Sequence, residues 1–289
     1  MMGLAQPLAV VAHDAGAANL ILAWLARAQD AEIRPYMAGP AAALWQARFP
    51  ATPMHNSLND ALGGAVALLS GTGWASSVEH DARQLARKSG IASIAVIDHW
   101  VNFRARFERD GNIILPDAVW VADPEALLIA QRDIPEVPAV MRPNFYAIEQ
   151  VAAAGPVPVD GDALFVAEPV RESWGDNRPG EFQALDYFVA HRRAAGMADD
   201  TRLRIRPHPS DAPGKYDRWI AAHTGTAIDT SSDMAAALLG AKFVVGLNSA
   251  ALPIALASGR TAICALPPHA PQCYLPHDGI VHLRDLVRR

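Results

Sequence analysis

Short apolar runs alternate with small-residue or amphipathic segments through the first half of the chain. Residues 7–13 are apolar and stop at His13-Asp14-Ala15-Gly16-Ala17-Ala18-Asn19, and an apolar stretch over 19–29 follows. This reads as strand, small-residue loop and helix. The pattern then predicts a strand over 32–38, a helix over 41–48 and a buried strand over 65–70. That strand ends in Gly71-Thr72-Gly73-Trp74-Ala75-Ser76-Ser77-Val78-Glu79-His80. Ser76 or Ser77 is placed to cap a helix that runs to about Lys88 and stops at Gly90. Further strands are predicted over 91–97, ending in Asp98-His99-Trp100, and over 118–122. Asp123-Pro124-Glu125 then opens another helix, with proline at its first position. Strand–helix units in series predict a parallel, doubly wound sheet, whose site lies at the carboxyl ends of its strands. His13-Asp14, Gly71-Thr72, Asp98-His99 and Asp123 all fall at such ends.

Residues 152–161 are small, Pro- and Gly-rich and lack a period, so they predict a linker. Beyond it the pattern restarts. Strands are expected over 163–167 (running into Glu168-Pro169-Val170-Arg171-Glu172), 202–206, 227–228, 243–246 and 261–265. Helices are expected over 181–193, 233–239 (capped by Ser232) and 249–257. The expectation is α/β architecture with two Rossmann-like domains, 1–155 and 156–289, facing across a cleft. The three-glycine dinucleotide fingerprint is absent after the first strand, where only Gly16 is present. Neither a Walker loop nor a Gly-X-Ser-X-Gly elbow is present.

Composition narrows the partners. The chain of 289 residues has a net charge of −5, which argues against general attraction to nucleic acid or an anionic membrane. Residues 1–8 lack the basic start and apolar core of a signal peptide, and no apolar run reaches the ~20 residues of a membrane span. Peripheral membrane docking stays open. Cys264 and Cys273, nine apart, make no zinc pattern by themselves, and a reduced, cytoplasmic setting is expected.

The densest chemistry lies between Arg204 and Gly259. Arg204-Ile205-Arg206-Pro207-His208-Pro209 closes one strand, and on it Arg204, Arg206 and His208 share a face. Val244-Val245-Gly246-Leu247-Asn248-Ser249-Ala250 closes another and leads into a helix, whose first N–H groups suit a phosphate. In the first half Asp14 is a carboxylate beside a small-residue loop, able to serve as a general base. Glu79 and Asp98 rival it, although a position near a helix N-terminus should lower the basicity of Glu79. Trp74 and Trp100 are placed either to line a sugar face or to pack. The one Asp-X-Asp spacing, Asp160-Gly161-Asp162, precedes a strand, so no metal ligands are assigned.

Two Rossmann-like halves joined by a Pro/Gly linker resemble the GT-B class of glycosyltransferases. Arg206-Pro207-His208-Pro209 is similar to the His-Pro motif of bacterial sialyltransferases, polysialyltransferases and related capsule enzymes, and Asn248-Ser249-Ala250 stands where they carry a Ser motif. Thr72-Gly73-Trp74 and Asp98-His99-Trp100-Val101-Asn102 look like surface-polysaccharide cluster proteins. The chain departs from the family in having Asn-Ser for Ser-Ser, and His13-Asp14-Ala15-Gly16 for the acidic motif. It has Pro253-Ile254-Ala255-Leu256 where UDP-sugar enzymes of the class hold ribose with a Glu.

The resemblance implies a metal-independent inverting glycosyltransferase that takes a nucleotide sugar, CMP-linked, in surface glycan synthesis. No cofactor is implied beyond that co-substrate. Asp14 and His208 are then the catalytic residues. Arg206, His208, Asn248, Ser249, Ala250 and Glu168 hold the donor, and His13, Gly16, Thr72, Trp74, Glu79, Asp98 and His99 hold a glycan or small-molecule acceptor. A sugar-nucleotide epimerase or hydrolase of the same fold, and a non-catalytic nucleotide-sugar binder, are the alternatives.

Overall fold

The computed structural model describes residues 4–28, 31–170, 173–175 and 177–287. Arg171 and Glu172, named above, and residue 29, the end of the 19–29 stretch, lie outside them. The chain forms two compact units, Met1–Tyr146 and Ala147–Arg289.

The first unit contains β1 (Leu8–Ala12), α1 (Ala15–Leu25), β2 (Ile33–Met37), α2 (Gly39–Arg48), α3 (Leu58–Leu62), β3 (Ala67–Ser70), α4 (Val78–Lys88) and β4 (Ala92–Val96). A two-stranded hairpin of β5 (Glu108–Arg109) and β6 (Asn112–Ile113) follows, then β7 (Ala118–Val121), α5 (Pro124–Asp133) and β8 (Ala139–Met141). The next helix, α6 (Phe145–Ala154), begins at the boundary between the units. The sheet order is β2-β1-β3-β4-β7-β8, with every neighbouring pair parallel. β1 is buried along its whole length, and its alternate residues enter different cores. Leu8, Val10 and Ala12 pack with Ile21, Trp24 and Trp45 of α1 and α2, whereas Ala9 and Val11 pack with Leu62, Ala82 and Ala86 of α3 and α4. A strand apolar on both faces is what a sheet covered on both sides requires.

The second unit contains β9 (Asp162–Val166), α7 (Gly180–His191), β10 (Leu203–Arg206), α8 (Asp217–Ala221), β11 (Thr226–Ile228) and α9 (Met234–Leu239). It continues with β12 (Ala241–Gly246), α10 (Ala251–Ala257), β13 (Thr261–Cys264), β14 (Val281–His282) and α11 (Leu283–Val287). Its parallel sheet runs β11-β10-β9-β12-β13-β14, the Rossmann order.

Several local expectations change. Ala15 to Ala18, expected as a loop, form the first turn of α1; alanine is a strong helix former, and Asp14 supplies the extended residue before it. Ala152 to Ala154, expected to open a linker, finish α6 for the same reason. Asp233, not Ser232, caps α9, its carboxylate accepting from Ala236 N at 2.9 Å. The short α3, β8, β14 and α11 carry too few residues for a period to register.

One buried cation organises the second unit. Arg260 is 2% exposed and donates to Leu238 O (3.0 Å), Ala241 O (3.1 Å), Ala154 O (2.9 Å) and Ser258 O (3.2 Å). It thereby satisfies the carboxyl ends of α6, α9 and α10, where carbonyls lack helical partners and the dipole favours a positive charge. Burial pushes its pKa down. Arg260→Met would leave those carbonyls buried and unpaired. It should lower unfolding free energy by on the order of 3 kcal/mol, read from urea denaturation followed by circular dichroism. A loss below about 1 kcal/mol would contradict this role.

Candidate functional site

In each sheet the strand order reverses at one place: between β1 and β3 in the first, and between β9 and β12 in the second. Loops leaving the two strands on either side of such a point diverge and open a crevice.

At the β1/β3 point the structure brings together His13, Asp14, Gly16, Thr72, Trp74, Glu79, Asp98 and His99. Glu79, in the first turn of α4, is 1% exposed. Its Oε1 accepts from His13 N at 3.0 Å and its Oε2 from Gly73 N at 2.6 Å, so one carboxylate ties the β1 loop to the β3 loop. Burial raises its pKa; the two N–H donors and Arg83 oppose the rise, and nearby Asp14 adds to it. The position at the helix start was expected to lower its basicity, but desolvation outweighs the dipole. Asp14 takes the His13 ring at 2.6 Å through Oδ1 and Trp74 N at 3.1 Å through Oδ2. A Cβ at Gly73 would lie 2.1 Å from Asp14 Oδ2, so only glycine allows this approach. Gly16 has the same function for Asp98, whose Oδ2 would lie 1.7 Å from an added Cβ.

Three arginines that the sequence reading passed over hold the same loop from its carbonyl side. Arg83 donates to Gly71 O (2.9 Å), Arg106 to Thr72 O (3.2 Å) and Arg109 to Gly73 O (2.6 Å). Arg106 also lies 3.6 Å from Asp98. Burial pushes Arg83 down to about 10. The available signal was the spacing of Glu79 and Arg83, four apart on α4, on the face that turns out to be buried.

The remaining residues differ in their surroundings. Thr72 is fully buried and donates to Val96 O at 2.9 Å. Trp74 is 49% exposed, with the Arg106 and Arg109 guanidinium carbons 5.8 and 5.4 Å from its ring centre. Trp100 is instead buried, its indole N–H shared by both Asp123 oxygens at 3.1 and 3.0 Å. His99 accepts from Trp100 N at 3.0 Å through Nδ1, so its neutral ring carries the proton on Nε2. Burial pushes its pKa down against the pull of Asp98.

At the β9/β12 point a second carboxylate takes the corresponding place. Glu168 lies two residues beyond β9. Its Oε1 accepts from Leu247 N (2.9 Å) and Asn248 N (2.8 Å), and Oε2 lies 3.1 Å from Asn248 N. Asn248 was expected to face a phosphate, and in the structure its N–H, with that of Leu247, faces Glu168. Burial raises the Glu168 carboxyl to about 7, although the backbone donors of Leu247, Asn248 and Ser249 pull the other way. Asn248 Oδ1 accepts from Tyr274 N at 3.0 Å, and Ser249 Oγ from Ala251 N at 3.2 Å at the start of α10. Ala250 is exposed beside them.

His208 lies two residues beyond β10, exposed, on the other side of β9 from this turn. Its Nδ1 accepts from Ser210 N at 3.2 Å, which leaves the proton of the neutral ring on Nε2. Arg204 and Arg206 share a face as expected, and that face meets Asp229. Arg204 Nη1 reaches Asp229 Oδ1 at 2.6 Å and Arg206 Nη1 reaches Oδ2 at 2.7 Å. Burial opposes ionisation of Asp229, but hydrogen bonds from Arg206 and Ser231 and the two arginine charges outweigh it and hold its pKa low. Asp162, of the Asp-X-Asp spacing, accepts from Arg204 Nε at 2.9 Å.

Glu168 makes a pH prediction. Its folded pKa, about 7, exceeds its ordinary value of 4.5, so between those values the native state binds more protons than the unfolded chain. Its contribution to stability is full below pH 4.5 and is lost as pH rises through about 7. The loss reaches up to about 3 kcal/mol. Glu168→Gln keeps an acceptor for the turn and removes the titration. Thermal melts from pH 5 to 8 should show the variant gaining on the wild type as pH rises. A pH-independent difference would contradict the raised pKa.

No protein-family model matches the chain, and no curated protein matches it significantly. Solved structures do. UDP-GlcNAc 2-epimerase from Neisseria meningitidis bound to UDP-GlcNAc superposes with a TM-score of 0.63 at 9% identity, over 97% of this chain and 89% of that one. UDP-GlcNAc 2-epimerase from Methanocaldococcus jannaschii gives 0.60 at 10% identity, over 98% and 92%. The S. aureus MnaA–UDP structure gives 0.61 at 12% identity, over 89% and 78%. Among the described residues no helix is long and apolar enough to cross a membrane. The likeness is one of fold: the chain has the two Rossmann-like α/β domains of GT-B proteins.

Proposed function

We propose that this chain is an enzyme acting on a nucleotide-activated sugar, and specifically a metal-independent inverting glycosyltransferase of surface glycan synthesis with a CMP-linked donor. The observation that carries the proposal is the His13–Asp14 pair, 2.6 Å apart at the β1/β3 crevice. A carboxylate fixed against an imidazole is a general base able to remove a proton from a hydroxyl. The exposed Trp74 ring beside it offers an apolar face to the carbon skeleton of a sugar, and Gly16, Thr72, Asp98 and His99 shape the surroundings.

In this reading the second unit holds the donor. His208 directs Nε2–H, and Ser249 its hydroxyl, to the phosphate of the nucleotide. Glu168 holds the Leu247–Asn248–Ser249–Ala250 turn in shape, and Arg206, engaged by Asp229, stiffens the strand end that carries His208. Asp14, with His13, takes the acceptor proton. The acceptor oxygen then bonds to the anomeric carbon as the bond from that carbon to the phosphate oxygen breaks, which inverts the centre. Negative charge gathers on the departing nucleotide, where His208 and Ser249 stabilise it.

A second reading, a sugar-nucleotide 2-epimerase, draws support from the structural neighbours, which are named as UDP-GlcNAc 2-epimerases. It too requires a base, acting on a C–H rather than an O–H.

Thermal shifts with CMP, CDP, UDP, GDP and their sugars separate the two. A nucleotide at 100 times its dissociation constant stabilises the native state by about 2.7 kcal/mol. CMP and CMP-sugars are expected to give the largest rise in Tm, and His208→Ala to weaken CMP roughly 10- to 100-fold through loss of a hydrogen bond to a charged group. The donor sugar should stay intact without an acceptor. A preference for UDP, with isomerisation of UDP-GlcNAc and no acceptor needed, would replace the transferase with the epimerase. Binding equal to wild type in His208→Ala would remove His208 from the site.

A further inference from the structure

Cys264 and His282 are the last residues of β13 and β14, and they are register partners in adjacent parallel strands. The intervening loop returns Cys273 to the same place. The two Sγ atoms and a ring nitrogen of His282 all lie within 4.8 Å of one another. Cys264 is buried, whereas Cys273 and His282 are half-buried. Both thiols are free.

We propose that Cys264, Cys273 and His282 form a zinc site of Cys2His type, with its fourth position open to solvent. Tetrahedral zinc, with Zn–S of about 2.3 Å and Zn–N of about 2.0 Å, sets its donors roughly 3.5–3.8 Å apart. The cluster, within 4.8 Å, therefore needs to contract by no more than about 1.3 Å. The donor set, two soft thiolates and an imidazole, suits zinc over hard cations. A pocket of about 610 Å³, lined by Pro268, Gln272, Cys273, His282, Arg284 and Asp285, gives the ion a route in and room for a water as fourth ligand.

Cys264 Sγ donates its one proton to Leu247 O at 3.1 Å, a bond that zinc binding would give up as the thiolate forms. Zinc would replace at most two thiol protons, released to water, and would take His282 neutral.

The position gives the ion a structural consequence. Cys264 contacts the Leu247 carbonyl, and Tyr274 N donates to Asn248 Oδ1. The Cys273–Tyr274 segment is thus already latched to the turn that Glu168 occupies, and a metal here would clamp the loop after β13 against it.

The test uses the untagged chain of 289 residues, stripped with a chelator and kept reduced. Cobalt(II) is titrated in, then displaced by zinc, with zinc affinity measured against a chromophoric chelator. The expected result is one ion per chain, a thiolate-to-cobalt charge-transfer band, protection of both thiols from alkylation and a zinc-dependent rise in Tm. Cys273→Ser and His282→Ala should each weaken zinc by at least about 100-fold, since loss of a supporting residue alone costs 10- to 100-fold. Circular dichroism checks that both variants are folded; if either is not, the wild-type cobalt spectrum decides. Absence of the charge-transfer band, or undiminished zinc binding in folded Cys273→Ser, would overturn the site. So would reduced protein that takes up no zinc and merely oxidises to a Cys264–Cys273 disulfide.

Discussion

A carboxylate sits at the reversal point of each sheet and accepts backbone N–H groups there. Glu79 bonds to His13 N and Gly73 N, and Glu168 to Leu247 N and Asn248 N. The geometry of the topology demands something of this kind. Where strand order reverses, the flanking loops diverge and their first amides have no ladder partner, and an unpaired buried amide is costly. Each glutamate supplies the missing acceptors, and each has its pKa raised by the burial this requires. Both sites are therefore shaped by an internal carboxyl acceptor before any ligand arrives.

That arrangement sorts the charged residues into those that build and those that face outward. Arg83, Arg106 and Arg109 take three successive carbonyls of the β3 loop, so the loop is held from its donor and acceptor sides alike. Arg204 and Arg206 are balanced by Asp229. The groups left at the surface of these frameworks are the His13–Asp14 pair and Trp74 in the first unit and His208 in the second, and the proposed chemistry is assigned to them. Catalytic groups with fixed orientation on rigid strand ends lose little in reorganisation during reaction.

Much of the fold was legible in the sequence. Apolar runs marked β1, β3, β4, β7, β9 and β12, because strands buried on both faces carry few polar positions to blur them, whereas β10 was marked by the alternation of Leu203 and Ile205 with Arg204 and Arg206. Asp123-Pro124 marked the start of α5, with Asp123 accepting from Ala126 N as a cap should. Alanine-rich segments misled: in 15–18 and 152–154 small size was read as loop, although alanine's low entropy cost favours helix. Of the site, the strand-end clusters were visible because position in the pattern predicts them. The partners were not. Nothing local ties Glu168 to Asn248 eighty residues away, Arg206 to Asp229, or Cys264 to His282; these pairings exist only once strand order and register are set.

The enclosed carboxyl of Glu168 holds the Leu247–Ser249 turn where a nucleotide phosphate is proposed to bind. The direct measurement is a carbon-13 NMR titration of the Glu168 side-chain carboxyl, with and without CMP. A midpoint at about 7 is expected in the free protein, and a shift in that midpoint when CMP binds. A midpoint at the ordinary value of 4.5, unmoved by saturating CMP, would contradict both the enclosure and the site.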